Sequence, residues 1–210
     1  MNTDYIEINT QSSIKLKLDK VIYFDPYKIE NDNHDADIIF ITHNHYDHMD
    51  KESLEKVKNE NTIIVAPKSM EDVVKEIRFK DYILLNPFDE TTIGNINIKT
   101  IPAYNIGKPF HPRENNWLGY IVTISNVTYY VAGDTDAVKE IEDVKCDIAF
   151  IPIGGHFTMN VNEATELIKK MDVKTIIPIH YGSIIGNTTD GKDLTNNLPD
   201  INIIEKLEFK

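Results

Sequence analysis

Thr42-His43-Asn44-His45-Tyr46-Asp47-His48 follows directly on the apolar run Ile38-Ile39-Phe40-Ile41. Four side chains able to hold a metal fall within six residues. The spacing has a geometric reading. In an extended segment residues two apart point the same way, so His43 and His45 can grip one ion together. If the chain then turns into a helix at Asp50, Asp47 and His48 point toward a second ion beside the first. Imidazole and carboxylate suit Zn²⁺, and also Fe or Mn. The competing reading is a polar loop with incidental histidines. With seven histidines in 210 residues, chance clustering of three is a poor explanation.

Working outward, Asp37 to Thr42 predicts a buried strand running into the histidines. Upstream, residues 5–9 and 12–18 alternate apolar and polar side chains, the period of exposed antiparallel strands. Val21 to Phe24 predicts a short strand ending at Asp25-Pro26. Downstream, the pattern predicts a helix over 50–59, a strand over 62–66 and a second helix over 68–79. Short strands follow within 81–101 around Asn86-Pro87 and Gly94-Asn95. Residues 118–124 and 127–132 read as a hairpin through Ser125-Asn126. Asp147 to Pro152 and Thr175 to Ile179 read as buried strands. A helix over 161–171 lies between them, capped by Asn160 or Asn162. The tail 201–209 reads as a last strand. The two halves resemble each other: each begins with hairpin-like strands and then sets polar residues after buried ones. Two sheets with helices outside fit this order, in a single domain spanning 1–210.

One loop cannot fill two coordination spheres, so later residues must contribute. Asp134 follows the apolar strand Thr128 to Ala132; its carboxylate is placed to bridge two cations or to cap a helix at 137–141. His180 ends the strand Ile176-Ile177-Pro178-Ile179, as a ligand or as a satisfied core histidine. His111, in Pro109-Phe110-His111-Pro112, either completes the first ion's shell or is a loop histidine. His156, after Gly154-Gly155, lines a pocket or simply sits in a loop. His34 lies in an Asn/Asp-rich loop and reads as bland. Phe110 and Trp117 are pocket aromatics or packing; Lys108 and Arg113 bind an anion or are solvated loop charges.

Composition narrows the class. Lys and Arg total 22 against 34 Asp and Glu, a formal charge of −12. Such a surface repels phosphate backbones, so nucleic acid is not the expected partner. Cys146 is the only cysteine, which rules out an intrachain disulfide and fits a reducing cytoplasm. The first residues carry neither a basic n-region nor an apolar h-region, and no run approaches 18 apolar residues. No signal peptide, membrane span or membrane partner is expected. A homo-oligomer stays open.

The H-x-H-x-D-H run after an apolar strand resembles the metal motif of the metallo-β-lactamase superfamily. Asp25 resembles that superfamily's early strand-end aspartate, which buttresses the metal loop. Gly133-Asp134-Thr135 resembles its G-D-T segment, and Pro178-Ile179-His180-Tyr181-Gly182 its final histidine segment. Pro102-Ala103-Tyr104-Asn105 and Pro152-Ile153-Gly154-Gly155 resemble a compact prokaryotic branch of metal-dependent hydrolases, near the ascorbate-phosphate lactonase and phospholipase-D-like groups. The resemblance covers roughly residues 5–205. It implies an α/β fold, a four-layer αββα sandwich. It also implies that His43, His45 and a third histidine hold a first metal. Asp47, His48 and His180 would hold a second, with Asp134 bridging them. The chain departs from the pattern at one point: many relatives carry the third histidine where Asn105 stands here, which leaves His111 to take over or the first metal short of a ligand.

The function implied is hydrolysis of a small-molecule ester, lactone or phosphodiester by a hydroxide shared between two divalent cations, zinc first and Mn or Fe next. Asp47 and Asp134 would hold the metals and orient the hydroxide, and His180 or His156 would donate a proton or hydrogen bond. Two alternatives belong to other classes: a metal- or ligand-binding sensor or accessory protein without turnover, and a mononuclear iron oxygenase.

Overall fold

The structure is a computed structural model that describes residues 2–209. The chain divides into two compact units between Leu85 and Asn86.

In the first unit, β1 (Ile6–Ile8), β2 (Ile14–Lys17) and β3 (Val21–Phe24) form an antiparallel meander, with Ile8 opposite Ile14 and Leu16 opposite Ile22. From β3 onward the sheet is parallel. β4 (Ile38–Phe40), β5 (Ile63–Pro67) and β6 (Asp81–Leu85) add in chain order. β4 is buried at all three positions, as its unbroken apolar run predicts. Helix α1 (Lys51–Val57) connects β4 to β5 and starts where the Asp50 carboxylate accepts from the Glu52 N–H and the Ser53 hydroxyl. Leu54 and Val57 join Ile39, Ile41, Ile64 and Ala66 in one buried cluster, which fixes the helix against the sheet.

The helix expected over 68–79 is shorter. A 3₁₀ turn at Lys68–Met70 leads into a single α-turn, α2 (Glu71–Val74). Beyond it Glu76 and Ile77 bond back three residues, to the Val73 and Val74 carbonyls. Ile77 and Phe79 are both buried. Residues two apart do not share a helix face, so burying both ends the helix. The β-branched pair Val73-Val74 also favours helix weakly.

In the second unit, β7 (Glu90–Ile93), β8 (Ile96–Pro102), β9 (Leu118–Ile124) and β10 (Val127–Val131) run antiparallel. The β9–β10 hairpin turns at Ser125 and Asn126, both at positive φ (49° and 67°), as a tight two-residue loop requires. β11 (Lys145–Pro152), β12 (Asp172–Ile179) and β13 (Asn202–Ile203) then extend the sheet in parallel from β10. α3 (Val161–Ile168) links β11 to β12. Its cap is Asn160, in a capping box: the Asn160 amide oxygen accepts from the Glu163 N–H, and the Glu163 carboxylate accepts from the Asn160 N–H.

Two further features depart from the sequence pattern. α4 (Asp190–Asn197), between β12 and β13, has no expected counterpart. The tail pairs over two residues rather than nine. The Ile204 N–H still reaches the Ile176 carbonyl, so the next donor on that side of β12 falls to Pro178, which has none.

The units therefore repeat one topology. In each, antiparallel strands lead to a strand (β3 or β10) onto which three parallel strands are laid, with α1 matching α3 and α2 matching α4. Among the described residues no helix is long and apolar enough to cross a membrane.

Candidate metal centre

In the first unit the candidate donors lie beyond the carboxyl ends of β3 and β4, the usual ligand edge of a parallel sheet. Asp25 follows β3 with φ of 44° and is wholly buried. Its Oδ1 accepts from the Thr42 N–H at 2.8 Å, and its Oδ2 accepts from the Thr42 hydroxyl at 2.6 Å and faces His48 Nδ1 at 2.7 Å. Burial pushes this carboxyl above its ordinary pKa, while the charge of His48 and the bonds from His48 and Thr42 pull the other way. With Nδ1 donating to Asp25, His48 presents Nε2 as a ligand nitrogen, 3.6 Å from Asp47 Oδ2. His43 is held likewise, its Nδ1 lying 3.0 Å from the Thr42 hydroxyl. The Nε2 of His43 lies 3.1 Å from Nδ1 of His45. The chain closes behind these groups in a turn, the His48 and Met49 N–H groups both donating to the His45 carbonyl. The turn into a capped helix is as expected, but the chain bends at Asn44 and His45, so a bend and not an extended segment brings the His43 and His45 nitrogens together.

In the second unit the donors come from separate places. Asp134 follows β10 and Gly133 (φ 66°). Its Oδ2 lies 3.3 Å from His111 Nε2 and 3.2 Å from His180 Nε2. All three side chains are buried. Asp134 is not a helix cap: the 3₁₀ turn at Lys139–Ile141 starts from Val138 without a side-chain bond. His180 directly follows β12 in the left-handed region, at φ 55°, a conformation that costs a non-glycine residue about 1–3 kcal/mol. Gly154, at the end of β11, backs it closely. A Cβ on Gly154 would come within 2.2 Å of the His180 carbonyl oxygen.

Sequence reasoning missed what Asn105 does. Its Oδ1 accepts from the His111 N–H at 3.2 Å and faces His111 Nδ1 at 2.8 Å. Its Nδ2 donates to the Phe157 carbonyl at 2.9 Å and to Asp136 at 3.2 Å. Those partners settle the amide's orientation, and they put the proton of His111 on Nδ1 and its lone pair on Nε2. Asn105 thus stands behind His111 as Asp25 stands behind His48. The only sequence signal was negative, an asparagine in a histidine's place. Trp117 packs edge-on against the His111 ring, centroids 5.6 Å apart. His34 is exposed and bonds the Lys58 carbonyl. His156 is exposed at the tip of the 154–160 loop.

The donor chemistry of each unit fits a divalent cation. Two ligand atoms on a tetrahedral zinc at about 2.05 Å lie about 3.3 Å apart. The pairs His43–His45, His111–Asp134 and His180–Asp134 are spaced at 3.1, 3.3 and 3.2 Å. His43, His48 and His111 each have the second ring nitrogen bonded to a fixed oxygen, the outer-shell arrangement of metal-binding histidines.

The comparisons agree with this chemistry. Residues 13–181 match the family model described as a beta-lactamase superfamily domain. The chain is 32% identical over 178 residues to a UPF0173 metal-dependent hydrolase of Pyrococcus horikoshii, covering 78% of each. This chain belongs to the metallo-β-lactamase superfamily, among its metal-dependent hydrolases. A second member of this hydrolase family, from Ruegeria, is 28% identical and covers 84% of this chain and 83% of its own. A solved structure from Parabacteroides distasonis is 31% identical, with a TM-score of 0.82, and covers 97% of this chain and 93% of that one. The fold class is the α/β metallo-β-lactamase type, whose layers are written αββα.

Proposed function

We propose that the chain hydrolyses an ester, lactone or phosphodiester with two divalent cations, zinc foremost, and that residues 1–210 act as one domain in doing so. In this reading His43, His45 and His111 hold one cation, and Asp47, His48 and His180 hold the other. Asp134 serves both. The observation that carries it is the buried Asp134 carboxylate, one oxygen of which faces two imidazole nitrogens at 3.2 and 3.3 Å.

When bound, such cations supply Lewis acidity and a water that ionises near neutral pH. The chain's own part is to hold the donors rigidly. Asp25, Thr42 and Asn105 fix which nitrogen of His48, His43 and His111 faces the site, so little reorganisation remains for the reaction itself. Asp47 and Asp134 would orient the attacking water, and His180, set just past the end of β12, would complete the donors of the second cation. A formal charge of −12 disfavours a nucleic-acid backbone and supports a small-molecule substrate.

The test loads purified protein with zinc, manganese or iron(II), measures metal content, and assays nitrophenyl esters, lactones and a bis-aryl phosphodiester. Two equivalents of metal, turnover abolished by a chelator, and at least a hundredfold lower kcat/KM in His45→Ala are expected. Full occupancy with no turnover on any of these classes would replace the hydrolase reading with that of a metal-dependent sensor.

A further inference from the structure

Two loops of the second unit carry aromatic side chains that the chemistry above does not use. Phe110 immediately precedes His111. His156 and Phe157 form the tip of the loop 154–160. The three rings contact one another: centroids lie 5.0 Å apart for Phe110–His156, 4.7 Å for Phe110–Phe157 and 4.5 Å for His156–Phe157. His156 is exposed and the two phenylalanines are half-buried, so the cluster ends in open aromatic surface rather than in the core. Ile106, on the same loop as Phe110, is 62% exposed.

These loops are held firmly. Within the second loop the Gly155 N–H donates to the Met159 carbonyl, the Thr158 N–H donates to the Gly155 carbonyl, and Gly154 bridges Asn160. This closure forces Gly155 and His156 to φ of 74° and 51°. The first loop is stitched to the second. Asn105 donates to the Phe157 carbonyl, Lys108 Nζ donates to the Thr158 carbonyl at 2.9 Å and to Asp136 at 2.6 Å, and the Ile106 N–H donates to Asp136. Apolar rings on mobile loops would be incidental. Rings kept part-exposed on a braced frame, with a strained histidine among them, mark a recognition surface.

We infer that Phe110, His156 and Phe157 form a substrate-recognition wall that selects molecules carrying a flat aromatic group next to the bond to be cleaved. The inference rests on the hydrolase reading for the position of that bond, because Phe110 is bonded to the candidate ligand His111. Asn105 joins the two features physically. One end of its amide fixes the His111 ring and the other holds the Phe157 carbonyl, so a ring seated on the wall lies at a fixed offset from His111. Edge-to-face and offset stacking are the contacts such a cluster offers. The His156 imidazole adds a hydrogen-bonding edge that a wall of phenylalanines would lack.

The test uses two non-hydrolysable probes, phenylphosphonate and methylphosphonate, and reads dissociation constants by calorimetry. The proteins are wild type, Phe110→Ala, Phe157→Ala and the milder Phe110→Leu, each with metal content and melting temperature recorded. Phenylphosphonate is expected to bind wild type at least tenfold more tightly than methylphosphonate. Either alanine variant should bring the ratio to within about threefold, and Phe110→Leu should give an intermediate value, with metal content unchanged. A ratio near one in wild type, or a wild-type ratio retained in both alanine variants, would overturn the wall. The ratio tests the wall, whereas the change in affinity of both probes on chelation tests the metal reading, so either can fail while the other stands.

Discussion

The two units build the same topology and load it differently. At the end of the strand where antiparallel becomes parallel, the first unit places Asp25 and the second Asp134. Asp25 bonds Thr42 and His48 and acts through them. Asp134 faces the ring nitrogens of His111 and His180 directly. At the next strand end the first unit places four candidate donors and the second places Gly154-Gly155-His156. At the third, the first unit has Pro67 and the second has His180. One scaffold offers equivalent positions at its strand ends, and the side chain at each decides whether it presents a candidate metal donor, braces a neighbour or does neither.

Replacing the two strand-end aspartates tests this division most strongly. Asp134→Asn keeps the shape and removes the charge facing both imidazoles. Turnover should fall by on the order of a thousandfold or more, the several kcal/mol expected of a lost metal ligand, and metal analysis should show fewer than two equivalents retained. Asp25→Asn should be milder, weakening metal binding by about 10- to 100-fold as outer-shell partners do, with stoichiometry restored at high metal concentration. Equal losses from both would mean that the two aspartates do the same job and would erase the distinction.

The same contrast explains what was legible in the sequence. The His43–His48 run could be read at once because all its candidate donors share one short segment after an apolar strand, although a bend at Asn44 and His45, not the strand period, sets their directions. Asp134 and His180 were visible as polar residues at the ends of apolar runs, read as ligands against a competing cap role for the first and a competing core role for the second. Asn105 showed only as a missing histidine and its role was not readable, since an amide that positions an imidazole has no spacing rule of its own. Among the elements, buried strands such as β4 and β12 announced themselves through continuous apolar runs. α4 did not: Asp-Gly-Lys-Asp-Leu-Thr-Asn-Asn is rich in poor helix formers, and Leu194 is its only large buried apolar side chain. Its place is set by packing against α3 and by the room that Gly191 leaves beside the Tyr181 hydroxyl.

Gly154 marks a further difference between the two units. The second unit reaches its third strand end through a left-handed histidine, and Gly154 leaves the space that this backbone needs. In Gly154→Ala the added methyl meets the His180 carbonyl oxygen at 2.2 Å, with Ile185 also close at 2.7 Å. The nearest atom is backbone, so no side-chain rotation relieves the clash. A loss of about 1–3 kcal/mol in urea unfolding is expected, together with a fall in kcat larger than any rise in KM, because His180 moves. An unchanged kcat would remove His180 from the chemistry while leaving the packing argument intact.

The smallest expected effect concerns the helix caps. α1 and α3 occupy matching places, and each begins at a residue whose side chain accepts backbone N–H groups. The Asn160 cap bonds only within its own helix turn, so Asn160→Ala should cost about 1 kcal/mol in chemical denaturation and leave metal affinity untouched. The Asp50 carboxylate takes the Glu52 N–H, the Ser53 hydroxyl and the Lys28 N–H, and it follows the turn of candidate donors by two residues. Asp50→Ala should therefore cost more, up to about 2 kcal/mol, and should also weaken metal binding by loosening the turn that holds Asp47 and His48. If both variants cost the same and neither affects metal, the first unit's donors are held by Asp25 and Thr42 alone, and the helix behind them is only a connection between strands.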